Sequence, residues 1–311
     1  MRQAEICVIF NPTAGRGRAP RRLQALRRTL GSRAVFRPTQ GPGHAEELAL
    51  EAAKEGYPVV GAAGGDGTVH EVANGLLRAG RPDTALSVFA IGSANDYAYS
   101  LGLEPEWWLH AEAGRDTRPV DAGRLRVSGG RERYFVNGVG IGFNGAVTFE
   151  SQRIRRGQGV LLYTAALLRA LWYHYQSRPM AVTIDDTVRR VPTLALTVAI
   201  GRREGNFLLA PAAEVDDGLF DYLQAGRLPR WELLRYVPGM ITGHLPTGHP
   251  QLWTGRCRHV HVRAEAPLPV HLDGELFGRP GEGPCELDLR ILPAALRIYG
   301  PWRSEKEGGG S

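Results

Sequence analysis

The sequence predicts a parallel α/β layer followed by an antiparallel β domain, and three observations carry that prediction. In the first third, apolar runs at residues 6–10, 59–63 and 85–91 each end in a glycine-bearing polar loop that leads into a helix, the order expected of buried parallel strands. The central run is followed by Gly64-Gly65-Asp66-Gly67-Thr68. Beyond that turn, Val69, Val72, Ala73, Leu76 and Leu77 fall at i, i+3, i+4, i+7 and i+8 on one helix face. From Pro119 the texture changes. Short apolar segments, separated by turns such as Ser128-Gly129-Gly130 and Asp185-Asp186, succeed one another as in a sandwich-like antiparallel domain.

The first strand, 6–10, ends at Asn11-Pro12-Thr13-Ala14-Gly15-Arg16-Gly17-Arg18, and Leu23, Leu26 and Leu30 mark the helix after it. This loop is neither a Walker A sequence nor the Gly-x-Gly-x-x-Gly dinucleotide fingerprint. A second strand at 34–37 ends in Pro38-Thr39, and Ala45, Leu48, Ala49, Ala52 and Ala53 mark a second helix. At the central glycine turn, helix N-terminal amides favour an anion, phosphate above all. Asp66 in the same turn would repel that anion unless a cation or a proton transfer makes use of it. The residue types point to Mg²⁺ bridging, to a general base, or more simply to a helix cap. The strand at 85–91 ends in Gly92-Ser93-Ala94-Asn95-Asp96-Tyr97-Ala98, a third such turn. Ligands of open parallel sheets bind beyond the carboxyl ends of the strands. Three such loops therefore point to a nucleotide site within residues 1–118.

In the second part, strands are expected at 125–127, 134–139, 180–184, 194–200, 219–223, 259–263, 270–272 and 286–291. One long helix, about 159–175, interrupts them. Its Leu161, Leu162, Ala165, Leu168, Leu171 and Trp172 form a broad apolar face that packs on the sheet, walls an apolar pocket or touches a membrane. The segment Val270-His271-Leu272-Asp273-Gly274-Glu275 delivers two carboxylates that share a face if the strand is continuous. Read alone, it is more simply a polar hairpin turn. Asp216-Asp217-Gly218 is turn chemistry or a seat for a hard cation. His259 and His261 alternate along one strand, with no third ligand at a zinc spacing.

The net charge of +6 suits an anionic partner such as a nucleotide, a nucleic acid or an acidic membrane surface. Lys54 and Lys306 are the only lysines, so the basic charge is almost entirely arginine. Cys7, Cys257 and Cys285 form no even framework, and the N-terminal residues read as strand rather than secretion signal. Both suit a reducing, cytoplasmic setting. The longest apolar run, 160–171, is broken by Arg169 and too short to span a bilayer, so membrane contact is expected to be peripheral. The tail, 304–311, is expected to be disordered.

Together these segments resemble the lipid kinase family that includes bacterial diacylglycerol kinases and the sphingosine and ceramide kinases. The likeness covers almost the whole chain. It rests on Asn11-Pro12-x-x-Gly15, on Gly64-Gly65-Asp66-Gly67-Thr68-x-x-Glu71-Val72-x-Asn74-Gly75, on Gly92-Ser93-x-Asn95-Asp96-x-Ala98 and on Asp273-Gly274-Glu275. The resemblance implies an N-terminal phosphofructokinase-like α/β nucleotide-binding domain, 1–118, rejoined by 294–303. A C-terminal antiparallel β-sandwich for the lipid follows at 119–293, with ATP between the two. It implies ATP and Mg²⁺ as cofactors, a lipid substrate met peripherally at a membrane surface, no nucleic-acid partner, and room for a homodimer.

Carried over by position, Asn11, Pro12, Thr13, Ala14, Gly15, Thr39, Gly65, Asp66, Gly67, Thr68, Val69, His70, Glu71, Ser93, Asn95 and Asp96 would contact ATP. Asp66 would organise Mg²⁺ and the phosphates, and Glu275 would be the general base. Glu214, Asp217 and Leu219 match a structural Mg²⁺ site of the bacterial branch. Ser93 replaces the usual threonine, and His70 replaces the asparagine common in bacterial members, so the lipid stays open between diacylglycerol and a sphingoid. Acyl chains are expected near Phe143, Leu162 and Phe207, positions that each suit a core more readily. The rival readings are an NAD kinase and a non-catalytic lipid- or polyanion-binding protein on the same scaffold.

Overall fold

The computed structural model describes residues 4–14, 19–109, 116–154, 159–246 and 248–301. Gly15, Arg16 and Arg18 of the first loop, and the 304–311 tail, lie outside them. The chain divides into two compact units, Met1–Val120 with Leu296–Ser311, and Asp121–Ala295.

The first unit alternates strand and helix: β1 (Ile6–Phe10), α1 (Ala19–Leu30), β2 (Ala34–Pro38), α2 (His44–Lys54), β3 (Val59–Gly64), α3 (Asp66–Ala79), β4 (Ala85–Ala90) and the short α4 (Asp96–Ser100). The four strands are parallel in the order β2-β1-β3-β4. Every residue of β1 and β3 is buried, which is why they read as unbroken apolar runs rather than alternating ones. Gly61 of β3 leaves room for the Phe89 ring, and a Cβ there would overlap it. Phe89 in turn stacks on Trp107 at 5.6 Å, and the Trp107 indole N–H donates to the Val88 carbonyl at 3.1 Å. Helices α2 and α3 approach closely at Gly75, where a Cβ would strike the Glu46 carbonyl and the Ala49 side chain.

The second unit is built mostly of antiparallel strands: β5 (Thr117–Val127, which enters from the first unit), β6 (Glu132–Phe135), β7 (Gly138–Gly142), β8 (Arg178–Ile184), β9 (Thr187–Thr193), β10 (Ala195–Ala199), β11 (Phe220–Ala225), β12 (Leu252–Cys257), β13 (His259–Ala264), β14 (Val270–Leu272), β15 (Glu275–Gly278) and β16 (Glu286–Tyr299). Six of them form an antiparallel sheet in the order β12-β11-β10-β7-β14-β15. Strand β13 pairs antiparallel with both β8 and residues 286–290 of β16, and β8 pairs with β9. The far end of β16 belongs to the first unit, where Arg297 and Ile298 pair in parallel with Ala85 and Leu86. The fold class is therefore the one the sequence predicts, an α/β sheet plus an antiparallel sandwich-like unit.

Several elements differ from expectation. The strand expected at 134–139 is two strands, because Val136 and Asn137 turn their amides onto the Asp273 carboxylate. The one expected at 194–200 is β10 alone, since the Leu194 carbonyl accepts from Phe143 outside the ladder. The strand expected at 286–291 runs on to Tyr299, kinked at Ala294 (φ +52), whose amide is held by Asp121. The helix expected at about 159–175 is α6 (Gly159–Tyr173), and two helices the sequence did not mark accompany it, α5 (Phe143–Arg153) and α7 (Arg230–Thr242). They share an apolar core of Phe143, Leu167, Ala170, Leu171, Leu194 and Leu233. Phe143 and Phe207 are both buried, so the core role holds for these two. No described helix is long and apolar enough to cross a membrane.

Candidate active site

In the first unit, the loops after β1, β3 and β4 meet at the carboxyl edge of the sheet. The Asn11 amide donates to the Ala63 carbonyl at 3.2 Å, and the amides of Ile91 and Gly92 both donate to the Gly64 carbonyl at 2.9 Å. The Thr39 amide, after β2, donates to the Phe10 carbonyl at 2.9 Å. Two of the glycines are demanded by this convergence. A Cβ on Gly92 would overlap the Cα of Gly65, and one on Gly64 would overlap the Thr68 side chain. The Asn11 carboxamide oxygen accepts from the Thr13 amide at 2.9 Å and the Thr13 hydroxyl at 2.8 Å, which shapes the first loop. Pro12, Thr13 and Ser93 are exposed, while Asn11, Ala14, Thr39, Gly65 and Gly67 are half-buried.

Asp66 opens α3 and is half-buried. Its Oδ1 accepts from the Tyr97 amide at 3.3 Å, and the Asn95 and Asp96 amides also stabilise its charge. The first residue of α3 thus ties down the start of α4, an entry that Asn95 makes in the left-handed region at φ +54. Burial, and then the neighbouring Asp96 carboxylate, push the Asp66 acid up to about 7. Two carboxylates held together in this way form an arrangement that a divalent cation would relieve. Among the described residues no group of three His, Cys, Asp or Glu side chains could hold a metal. A cation here would have two protein carboxylates and would take its other oxygens from phosphate and water, the habit of Mg²⁺.

Three expected nucleotide contacts on α3 have side chains occupied elsewhere. Val69 is in the core, and buried His70 lies beside Asn74, whose carboxamide donates to the His70 carbonyl at 2.9 Å. Both oxygens of Glu71 accept amides at the start of α2, from Gly43 at 2.8 Å and Ala45 at 3.0 Å. Helix α2 has no N-cap side chain of its own, so Glu71 supplies the cap from a neighbouring helix. Glu71→Ala is expected to lose about 1–2 kcal/mol of stability. That loss would appear as a lower urea midpoint at unchanged m-value.

In the second unit, Asp273 (φ +50) and Gly274 (φ +83) form the two-residue turn between β14 and β15, with Leu272 paired to Glu275. One carboxylate therefore sits in the turn and the other opens β15, and they do not share a face of one strand. Asp273 is buried and accepts from the amides of Val136 (3.0 Å), Asn137 (2.8 Å) and Gly138 (2.9 Å). Glu275 is exposed.

Beneath the turn lies a pair that sequence reasoning missed. The Nδ1 of fully buried His271 accepts from the Gly274 amide at 3.3 Å, and its Nε2 lies 2.7 Å from Glu204 Oε1. An accepting Nδ1 places the ring proton on Nε2, donated to Glu204. Burial, the largest single influence, pulls the imidazole pKa down, but the Glu204 carboxylate together with Asp273 and Glu275 makes the net direction up. No sequence signal links two residues 67 positions apart.

Asp217 accepts from the Leu219 amide at 3.0 Å and is ion-paired with Arg256, while Glu214 is exposed. A cation at this turn would have to displace the guanidinium. Asp121, another residue the sequence did not mark, accepts from the Gly218 amide at 2.7 Å and from Ala294 at 2.8 Å.

Comparison with known proteins adds the following. Residues 5–125 match the diacylglycerol kinase catalytic domain, and residues 137–300 match the YegS C-terminal NAD kinase beta sandwich-like domain. A protein of Chromohalobacter salexigens named a probable YegS-like lipid kinase is 30% identical, over 88% of this chain and 86% of its own. A diacylglycerol kinase of Bacillus subtilis is 31% identical, over 88% of this chain and 91% of its own. The crystal structure of a diacylglycerol kinase from Bacillus anthracis superposes with a TM-score of 0.71 at 20% identity, over 96% of this chain and 98% of that one, a likeness of fold.

Proposed function

Since the chain belongs to the family of diacylglycerol kinases and YegS-like lipid kinases, we propose that it transfers the γ-phosphoryl group of ATP to the hydroxyl of diacylglycerol with Mg²⁺. The observation that carries this reading is Asp66. It is a half-buried acid beside Asp96, at the edge where the loops after β1, β3 and β4 converge. The N-terminus of α3 and the backbone at Gly65 and Gly67 receive the phosphates. Asn11 to Ala14, Thr39 and Ser93 border the nucleotide. Asp66, with Asp96, would hold the cation. Val69, His70 and Glu71 contribute through backbone and by keeping α2 and α3 in place.

When bound, Mg²⁺ neutralises charge on the phosphates during transfer. The protein's own part is to position the donor and to accept the hydroxyl proton. Exposed Glu275, whose turn is anchored by Asp273 and His271, takes that proton. The Asp217 turn is given no step, because Arg256 already occupies its carboxylate. The protein works at a membrane surface without crossing it.

The test offers labelled ATP and Mg²⁺ with diacylglycerol, monoacylglycerol, sphingosine, ceramide and NAD in parallel. The expected result is label in phosphatidic acid that depends on Mg²⁺. Label in NAD, or in a sphingoid lipid alone, would overturn the assignment of substrate.

A further inference from the structure

The second unit carries an apolar surface that its own fold does not cover. Most of the large apolar side chains exposed among the described residues lie on two helices: Leu161, Leu168, Trp172 and Tyr173 on α6, and Trp231 and Leu234 on α7. Leu161 is 80% exposed and Trp172 79%. Leu168 and Trp172 follow Leu161 by seven and eleven residues, which puts the three on one line along α6. Ala166, Leu167, Ala170 and Leu171, on the opposite side, are buried against the sheet and α7. Helix α6 is thus apolar on both faces and partnered on only one.

Among the described residues of the three helices, exposed charge is of one sign. On α5, α6 and α7 the exposed charged side chains are arginines: Arg153, Arg169, Arg230 and Arg235. The two carboxylates of these helices are turned inward. Glu150, at 1% exposure, pairs with Arg169 at 2.7 Å, and Glu232 pairs with His249 at 2.9 Å. A cleft of ≈ 270 Å³ at the end of α6 is lined by Trp172, Tyr173, Tyr175, Arg178 and Arg230. The Arg230 guanidinium lies 5.3 Å from the Tyr175 ring centre. Exposed leucines, interfacial tryptophans and arginines with no exposed acid among them match the surface of an anionic bilayer.

We propose that the outer faces of α6 and α7 dock on an anionic membrane, with Trp172 and Trp231 seated at the headgroup level and the arginines on lipid phosphate. This rests on the lipid-kinase reading only for its purpose, since it places the enzyme where its substrate resides.

The test is co-sedimentation of the full chain with vesicles of phosphatidylcholine, with and without phosphatidylglycerol. Two independent variants are compared with the parent, Leu168→Ser with Trp172→Ser on α6 and Trp231→Ser with Leu234→Ser on α7. Each is expected to weaken vesicle binding by about tenfold or more. Arg230→Ser with Arg235→Ser should remove most of the preference for phosphatidylglycerol. Transfer to a short-chain, water-soluble diacylglycerol should be unchanged in all three. Undiminished binding in both helix variants would overturn the proposal. So would a parent dimer that these changes dissociate while vesicle binding persists. Docking through this face without any phosphotransfer would sustain the surface and remove the kinase reading. Phosphotransfer with binding that ignores this face would do the reverse.

Discussion

Replacing Asp66 with asparagine is expected to lower phosphotransfer by at least about 10²–10³-fold, while making the nucleotide-free protein more stable above neutral pH. The carboxamide keeps an oxygen for the amides at the start of α4, so the local structure survives. What is lost is the charge. In the parent, burial and the Asp96 carboxylate hold Asp66 near 7, against an ordinary value of 3.8. Between those values the native state binds more protons than the unfolded chain. Stability therefore falls as pH rises from about 4 to about 7. Asp66→Asn removes that slope. Urea midpoints near pH 5 and near pH 8, taken without nucleotide or metal, should converge in the variant and differ in the parent. A variant less stable than the parent at the higher pH would mean that the carboxylate serves the fold alone. The two expected outcomes together would make the residue a cost to the resting protein and a requirement of the loaded one, the signature of a functional site.

Legibility in the sequence followed the range of the interactions. Strands β1, β3 and β4 could be read because each is buried along all or nearly all of its length and leads into a glycine-bearing loop. Helix α3 could be read because its apolar stripe is regular, and Val69, Val72, Ala73 and Leu76 of that stripe are buried. Helix α5 could not, since Phe143 to Arg153 mixes polar and apolar residues without a stripe and follows a glycine at φ +79 rather than a capping residue. Helix α7 hides behind an internal proline, Pro238. At the site, Asp66 was legible as a residue of consequence, but its tie to α4 joins residues about thirty apart. Glu71 lies in the most suggestive stretch of the chain, yet it caps a helix 28 residues upstream of it. Spacing identifies which residues sit near a turn. It does not say which way a side chain faces once a second element arrives.

The acid pair around Gly274 puts that distinction to an experimental test, because its two members should fail in opposite ways. Asp273→Ala leaves the amides of Val136, Asn137 and Gly138 without their acceptor inside the fold, and it places alanine at φ +50. Unsatisfied buried amides cost about 1–3 kcal/mol each, so the three together are expected to cost at least about 3 kcal/mol, enough to unfold a marginal protein. Asp273→Asn keeps one acceptor oxygen and tolerates the left-handed backbone, and should fall between. Glu275→Gln, at an exposed position on β15, should change stability by no more than about 0.5 kcal/mol. Yet it should lower transfer by about 10²–10⁴-fold if this carboxylate takes the hydroxyl proton. The two readouts must be taken on the same preparations: denaturation midpoints for the fold, and single-turnover transfer to diacylglycerol for the chemistry. A Glu275→Gln protein that folds and transfers normally would remove Glu275 as the base. An Asp273→Ala protein of parental stability would show that the bend between β6 and β7 finds its acceptors elsewhere.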